Sequence, residues 1–576
     1  MPDWVINRII AYGTAVGMEA FAEGEVPGHR NLVLGGKVLV VDVEFAVAPT
    51  VDVIGVRTSY AVPNGSASVG GNNGNSAGSV SIDAHLLNTF RLFVQEALKG
   101  EDADALEAGR LGKSVQDGLG YLMRLDRLAV AEGDGGLRWF SDLEDLGKML
   151  EGFAKEEATA VASALGTQIT PLDIHLLRAH ALPLPYLLPG SPSLAFLTYL
   201  SPLAYLTLLR SAPSVSNSFS SSLPSFDIPI MHVRSILSSH AGLPGTSLAL
   251  LTLLELPADA VSLRSPPSAE LSSLSTRPTF PLFPVPPEFD QSFPLPLLPS
   301  PDSQYAWILD FTNAGRTPGM VMTQGRMQEI ENVVNPLSGI AGNDVHAGIG
   351  GVPGGRDWVD LLLNGLTGGN VSLPYTQYYT ASYTSPSNMH PPLRLRLTAP
   401  DEPGFVLERV QVYTLREVWA ILEIVKEQSW LNEMIRACEW KPEASSIVPE
   451  SSGDEGKAAD EEELQALLNG TFTPTRLPIN IYLPSAPIPH PTLPTSPLFP
   501  PTSVSPPRIV LTLPERPPIS GLVEIFVSYD PTKARGVSVD VRGAVPVELP
   551  LEGLEEVVRR GGIWGVPGRV WQRAGV

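Results

Sequence analysis

Gly74-Asn75-Ser76-Ala77-Gly78 spells Gly-x-Ser-x-Gly, the string with which a hydrolase exposes a serine nucleophile on a sharp turn from a strand into a helix. That chemistry requires the strand to run directly into the turn. Here Ser76 stands in a Gly/Asn/Ser-rich stretch, Asn64 to Ser79, more than ten residues past the preceding strand pattern, and low complexity accounts for the string. Asp42 and Glu44 fall on one side of an extended segment, where two carboxylates could divide acid and base work. Solvated positions on a strand account for them as simply. His175 and His180 are five residues apart and lack the glutamate of a zinc-protease helix, so metal binding is not expected. No glycine-rich run ends in Lys-Ser or Lys-Thr, which leaves no phosphate loop. The chain is therefore expected to have no catalytic residue, no cofactor and no metal.

A different chemistry is written in leucine. Leu-x-x-Leu-Leu on a helix places three apolar side chains on one face, the pattern of a helix that docks in a partner's groove. The string occurs at Leu184 to Leu188, Leu250 to Leu254 and Leu464 to Leu468. Pro185 spoils the first for a helix, and the second lies in an apolar run that reads as a buried strand. Leu464, Leu467 and Leu468, beside the acidic tract Glu450 to Glu463, are the candidate docking residues.

These residues need elements to carry them. Leu39, Val41, Val43 and Phe45 alternate with Val40, Asp42 and Glu44, which makes a strand with one apolar side. Asn31 to Leu34 reads as its partner across the Gly35-Gly36 turn, and Val51 to Tyr60 as the next strand, so residues 31 to 61 form a meander. A short helix within Trp4 to Phe21, broken near Gly13 and Gly17, should pack on it. Helical spacing follows from Asp83 (Leu86, Leu87, Phe90, Phe93, Val94), from Val115 to Leu125, and from Ser141, where Ser141 and Glu144 suggest a capping box. Between Thr167 and Ser211 six prolines favour short extended pieces. Ser247 to Leu256 and Tyr305 to Thr312 read as strands, as do Leu393 to Leu397 and Val406 to Val412. Val418 to Ile435 reads as the best-specified helix, ending near Cys438. Beyond it, strands are expected at Arg508 to Leu513, Val523 to Ser528 and Val537 to Val541, then a helix near Val557 and a loose tail.

The stretches "LVLGGKVLVVDVEF" and "VDVIGVRTSYA", preceded by a short helix, resemble the opening of the Med1 domain of Mediator complex subunit 1, in its fungal form. Far downstream, "PPLRLRLTAPDEPGFVLERVQVYTLREVWAILEIVKEQSWLNEMIRACEW", Pro391 to Trp440, resembles the same family's strand, turn, strand and helix segment. The resemblance spans about Trp4 to Gly543, with dissimilar insertions between. It implies a non-enzymatic structural subunit in the middle module of the Mediator coactivator, in the nucleus. Its partners would be the other middle-module subunits, with transcription activators as further contacts, and its role the relay of regulatory signals to RNA polymerase II. Some relatives dock nuclear receptors through Leu-x-x-Leu-Leu helices. The rival readings are an intracellular hydrolase resting on Ser76 and a peptide-docking adaptor resting on Leu464, Leu467 and Leu468.

Bulk properties agree with a folded chain carrying inserts. In 576 residues, enough for roughly two to four domains, 43% are hydrophobic, while 56 prolines and 52 glycines concentrate in particular tracts. A formal net charge of -22 repels a phosphate backbone and argues against direct nucleic-acid binding. The single cysteine, Cys438, excludes an internal disulfide and suits a reducing compartment. No signal peptide or membrane span is expected, and the Asn64, Asn370 and Asn469 glycosylation triplets then arise by chance. The expected class is α+β, an antiparallel β-rich scaffold with packed helices and several disordered Gly/Ser/Pro-rich and acidic inserts. Its divisions are an N-terminal α+β unit (1–166), a β-rich middle region ending in a helix at 414–438 (167–440), an acidic and proline-rich insert (441–507), and C-terminal strands with a tail (508–576).

Overall fold

The computed structural model describes residues 2–26, 28–48, 50–61, 75–99, 104–132, 136–212, 226–239, 243–255, 305–335, 349–365, 378–388, 390–443, 461–469, 473–484, 506–517, 519, 521–543 and 550–573. The class is α+β, with most strands in antiparallel sheets. Most of the tracts read as inserts, including Ser214 to Ser225, Pro257 to Pro301 and most of Asn64 to Ser79, lie outside the described residues, as do Asn64 and Asn370. Among the described residues no helix is long and apolar enough to cross a membrane.

The first sheet runs β1 (Glu19–Val26), β2 (His29–Gly35), β3 (Leu39–Ala46), β4 (Asp52–Ala61) and β5 (Asn75–Ala77), in that spatial order and antiparallel throughout. The alternation of β3 does what its spacing requires: Leu39, Val41, Val43 and Phe45 are buried, while Asp42 and Glu44 are exposed. Helices α1 (Pro2–Ala15), α2 (Val80–Ala97), α3 (Ala105–Glu132) and α4 (Arg138–Leu165) join that apolar side in one core. The chain turns from helix to strand at Gly17, whose φ of 96° is left-handed, so Glu19 to Phe21 lie in β1 and not in the first helix. The tight β2–β3 turn is held from outside the sheet. Asp126 of α3, almost wholly buried, accepts the amide hydrogens of Lys37 (3.1 Å), Val38 (2.8 Å) and Leu39 (2.8 Å).

The capping box expected at Ser141 does not form, because α4 already begins at Arg138 and Ser141 sits a turn inside it. Glu144 instead accepts hydrogen bonds from the hydroxyls of Ser79 and Ser81, tying α4 to the start of α2. The helix ends at Gly166, left-handed at φ 67°.

The second sheet contains β6 (Leu182–Pro185), β7 (Leu194–Leu200), β8 (Thr246–Glu255), β9 (Tyr305–Asp310), β10 (Met320–Thr323), β11 (Ile349–Asp357) and β14 (Pro403–Val412). Its order is β10-β14-β9-β8-β7-β6, with β11 also paired to β14. Every residue of β7 is buried, as a strand covered on both faces must be. The proline-punctured 167–211 stretch holds helices as well as extended pieces: α5 (Leu172–Arg178) and α6 (Pro202–Ser211). Pro202 starts α6 rather than breaking it, since a first-turn residue has no intrahelical use for its N–H, and the Ser201 hydroxyl caps the helix by accepting from the Ala204 amide. Helices α7 (Ile230–Ser239), α8 (Gln324–Val334) and α9 (Trp358–Asn364) complete this layer.

The third sheet is ordered β15-β12-β13-β16-β17-β18-β19, from β12 (Tyr378–Tyr383), β13 (Leu393–Thr398), β15 (Lys441–Pro442), β16 (Leu477–Tyr482), β17 (Arg508–Pro514), β18 (Leu522–Tyr529) and β19 (Val537–Arg542). Successive strands β13 and β14 enter different sheets. One expectation is corrected here. Residues 477–482, placed in an acidic and proline-rich insert, form an internal strand, parallel to β13 and antiparallel to β17. The sheet thus draws on both sides of residues 440 and 507, and neither division separates layers.

Helix α10 (Leu415–Arg436) joins two cores. Val418, Ile421 and Val425 belong to the core of the first two sheets, and Trp430, Leu431, Met434 and Ile435 to the core of the third. Its start is defined by Thr414, whose hydroxyl accepts from the Glu417 amide, while Glu417 accepts from the amide of Tyr413. Helix α11 (Glu461–Leu468) follows. The C-terminal region is no loose tail: α12 (Leu551–Gly561) and α13 (Gly565–Arg573) bury Trp564, Val566, Val570 and Trp571 against the third sheet's core.

Candidate functional site

Of the three Leu-x-x-Leu-Leu strings, two are core. Leu184, Leu187 and Leu188 are buried in and after β6, and Leu250 and Leu253 are buried on β8. The third lies on α11, where Leu464, Leu467 and Leu468 are 54%, 42% and 66% exposed. Their spacing of three and four residues puts them on one side of the helix. Glu461 and Glu462 in its first turn favour the helix by facing the positive end of its dipole. This is an apolar helix face turned to solvent, suited to burial against a partner.

The serine string resolves otherwise. Strand β5 does lead within a few residues into α2, yet Ser76 pairs with Tyr60 inside the strand and is not the turn residue. The turn is occupied by Gly78 and Ser79. Ser79 caps α2 by accepting from the Ile82 amide at 3.2 Å, and donates its own hydrogen to Glu144. Gly78 is required by closeness, because a Cβ there would stand 2.1 Å from the Thr58 carbonyl oxygen. Asp42 and Glu44 lie on the solvent side of β3, where Glu44 comes within 3.5 Å of His29 Nδ1.

His175 and His180 are brought together with residues that sequence spacing did not join to them. His180 Nδ1 is 2.6 Å from Glu157 of α4, and its Nε2 is 3.8 Å from Glu423 of α10. Lys426, one turn on in α10, donates to the Ala179 carbonyl oxygen at 2.5 Å. Phe153 and Trp419 pack against the His180 ring in tilted arrangements, and Phe226 meets the His175 ring edge-on. Glu157, His175, His180 and Lys426 are all buried. Burial drives the His175 imidazole down to about 4 and the Lys426 ammonium down to about 8. Burial pushes the Glu157 carboxyl up, but the charge and hydrogen bonds of His180 outweigh it and leave it below its ordinary value. A second buried pair, Asp173 of α5 with Arg559 of α12, fastens the C-terminal helix to the middle of the fold. The only advance signals of these contacts were charged residues at apolar helical positions, such as Lys426 directly after Ile424 and Val425.

Such groups can hold protons and fix helices, but they sit inside the protein. Among the described residues, no three or more His, Cys, Asp or Glu side chains are grouped to hold a metal ion. The surface feature with a chemical use is the leucine face of α11. Comparison with protein-family models and with curated proteins finds no match in either.

Proposed function

We propose that this chain is a non-enzymatic structural subunit of the Mediator coactivator, held in its middle module by neighbouring subunits and relaying regulatory signals to RNA polymerase II in the nucleus. The observation that carries the reading is a shared core. The two stretches that resemble the Mediator family are separated by more than 300 residues, yet Leu39 to Phe45 and Val418 to Val425 pack into one hydrophobic cluster. A scaffold of that kind works by presenting folded surfaces, and the charge of -22 directs it toward protein partners rather than a phosphate backbone. Affinity purification of the tagged chain from its own cells tests the reading: the other middle-module subunits should co-purify, and their absence would refute it.

The exposure of Leu464, Leu467 and Leu468 favours an added role in which α11 docks in an apolar groove of a partner. Changing Leu467 and Leu468 together to Ala should then abolish capture of that partner while middle-module subunits still co-purify.

A further inference from the structure

The central strands of the third sheet bury every second residue in its core and turn the residues between them outward. Register decides what stands side by side on that outer face. Tyr378 of β12 lies opposite Thr398 of β13, Thr398 opposite Tyr482 of β16, Tyr482 opposite Val510 of β17, and Val510 opposite Phe526 of β18. One row across five adjacent strands thus carries an aromatic ring on every second strand. With neighbouring strands about 4.8 Å apart, Tyr482 has another ring two strands away, about 10 Å, on either side. Tyr482 itself is 45% exposed.

Both outer rings are attended by arginine. The Arg396 guanidinium lies 4.3 Å from the centre of the Tyr378 ring, and those of Arg542 and Arg508 lie 4.6 and 5.6 Å from the centre of the Phe526 ring. All three arginines are exposed. Arg396 meets Glu443 at 3.0 Å and Arg542 meets Asp540 at 2.9 Å, but exposed pairs of this kind hold weakly enough for a partner's carboxylate to replace them. With Arg394 and Lys441 the face carries five cations, against the three carboxylates of Glu443, Glu524 and Asp540. That excess of two positive charges stands in a chain whose net charge is -22.

A polyproline II helix turns once in three residues and rises about 9.3 Å in doing so, which matches the spacing of these rings. Laid across the strands with one proline on Tyr482, it brings the residues three before and three after to the two groups of arginine. Proline packs on exposed aromatic rings, and carboxylates complement guanidinium groups. A nucleic-acid strand suits the face less, because three carboxylates interrupt it and the charge of the whole chain repels phosphate.

We propose that the outer face of the third sheet docks a proline-rich segment of another protein, with an acidic residue three positions to either side of the proline that packs on Tyr482. The site goes beyond the role proposed above and stands without it.

The test is titration of the full-length chain with a fluorescent peptide containing Glu-Pro-Pro-Pro-Pro-Pro-Glu, read by anisotropy at fixed ionic strength. Saturable binding is expected. It should weaken at least tenfold when both peptide glutamates become glutamine, and at least tenfold in Tyr482→Ser and in Arg396→Gln/Arg542→Gln. Arg210→Gln, which alters an exposed arginine on α6, should bind as the parent does. No saturation at up to about 1 mM peptide overturns the proposal. So does parental binding by a Tyr482→Ser or Arg396→Gln/Arg542→Gln variant that remains folded by circular dichroism. Tighter binding of a single-stranded oligouridylate than of the peptide overturns it as well, and assigns the face to nucleic acid.

Discussion

Asp126 offers a sharp test of how the N-terminal sheet is held. Its carboxylate receives three consecutive amides: Oδ1 takes those of Val38 and Leu39, and Oδ2 takes that of Lys37. Asp126→Ala strands all three. The Lys37 amide is only part-buried and can turn to water, but the other two are buried, and at about 1–3 kcal/mol for each unsatisfied buried group the loss is about 2–6 kcal/mol, with a midpoint of about 4. Asp126→Asn keeps an oxygen for Val38 and Leu39 while setting an NH2 against the Lys37 amide. It should cost about 2 kcal/mol, a charge-assisted bond exchanged for a poor contact. Gly36→Ala attacks the same contact from the other side, since its Cβ would meet Asp126 Oδ1 at 2.7 Å. Hydrogen–deuterium exchange across residues 29–46 should rank Asp126→Ala above Asp126→Asn, with amide exchange roughly 700-fold (for a loss of about 4 kcal/mol) and roughly 30-fold faster at about 1.4 kcal/mol per decade. The double variant Gly36→Ala/Asp126→Ala should cost less than the two single changes summed. Exchange within about threefold of the parent in Asp126→Ala would refute the assignment of the turn to this carboxylate.

Three other outcomes follow from the geometry. Gly78→Ala drives a Cβ into the Thr58 carbonyl oxygen and should destabilise the chain by about 3 kcal/mol, read as a lowered melting temperature. His175 stays neutral in the fold down to about pH 4, whereas an unfolded histidine protonates near 6.5. Its contribution is therefore complete above pH 6.5 and is lost at about 1.4 kcal/mol per pH unit as pH falls toward 4. In His175→Leu that share of the pH dependence should vanish from denaturation measured across the same window. Arg559→Met leaves the buried Asp173 carboxylate without its cation and should cost about 3–5 kcal/mol, while Asp173→Leu/Arg559→Met should recover most of the loss in a thermal melt.

What could be read in advance was whatever local periodicity specifies. Leu39 to Phe45 and Val418 to Ile435 carry their own pattern before any partner is known. Partner choice is another matter. Leu393 to Leu397 and Val406 to Val412 both read as strands, and nothing in either says that they belong to different sheets, because that is settled by β16 and β9 pairing at a distance. Strand β16 did alternate, with Leu477, Ile479 and Ile481 buried between exposed Pro478, Asn480 and Tyr482, but the surrounding prolines hid it. The last residues read as a loose tail, yet Gly568 allows α13 to lie against His390, whose ring a Cβ would meet at 2.1 Å. The α11 leucines were legible because an apolar helix face is a local pattern. The joining of His180 to Glu157 and Glu423 was not.

That last contact bears on why α10 can be trusted as the pivot of the scaffold. A helix buried on nearly every side gains little from one rotation over another, because apolar contact is non-directional. Where α10 passes from one core to the other it carries a belt of polar residues instead. Lys426 reaches the Ala179 carbonyl oxygen, Ser429 accepts from the Ser247 hydroxyl at 2.9 Å, and Asn432 donates to the Val321 carbonyl oxygen at 2.8 Å while accepting from Gln428. Turning the helix would leave each of these groups buried without its partner, at a cost of about 1–3 kcal/mol apiece. The hydrophobic residues therefore fix that α10 is buried, and the polar belt fixes which way it faces. Were the chain the subunit proposed above, presenting surfaces in fixed relation to one another, it would depend on the second condition as much as on the first.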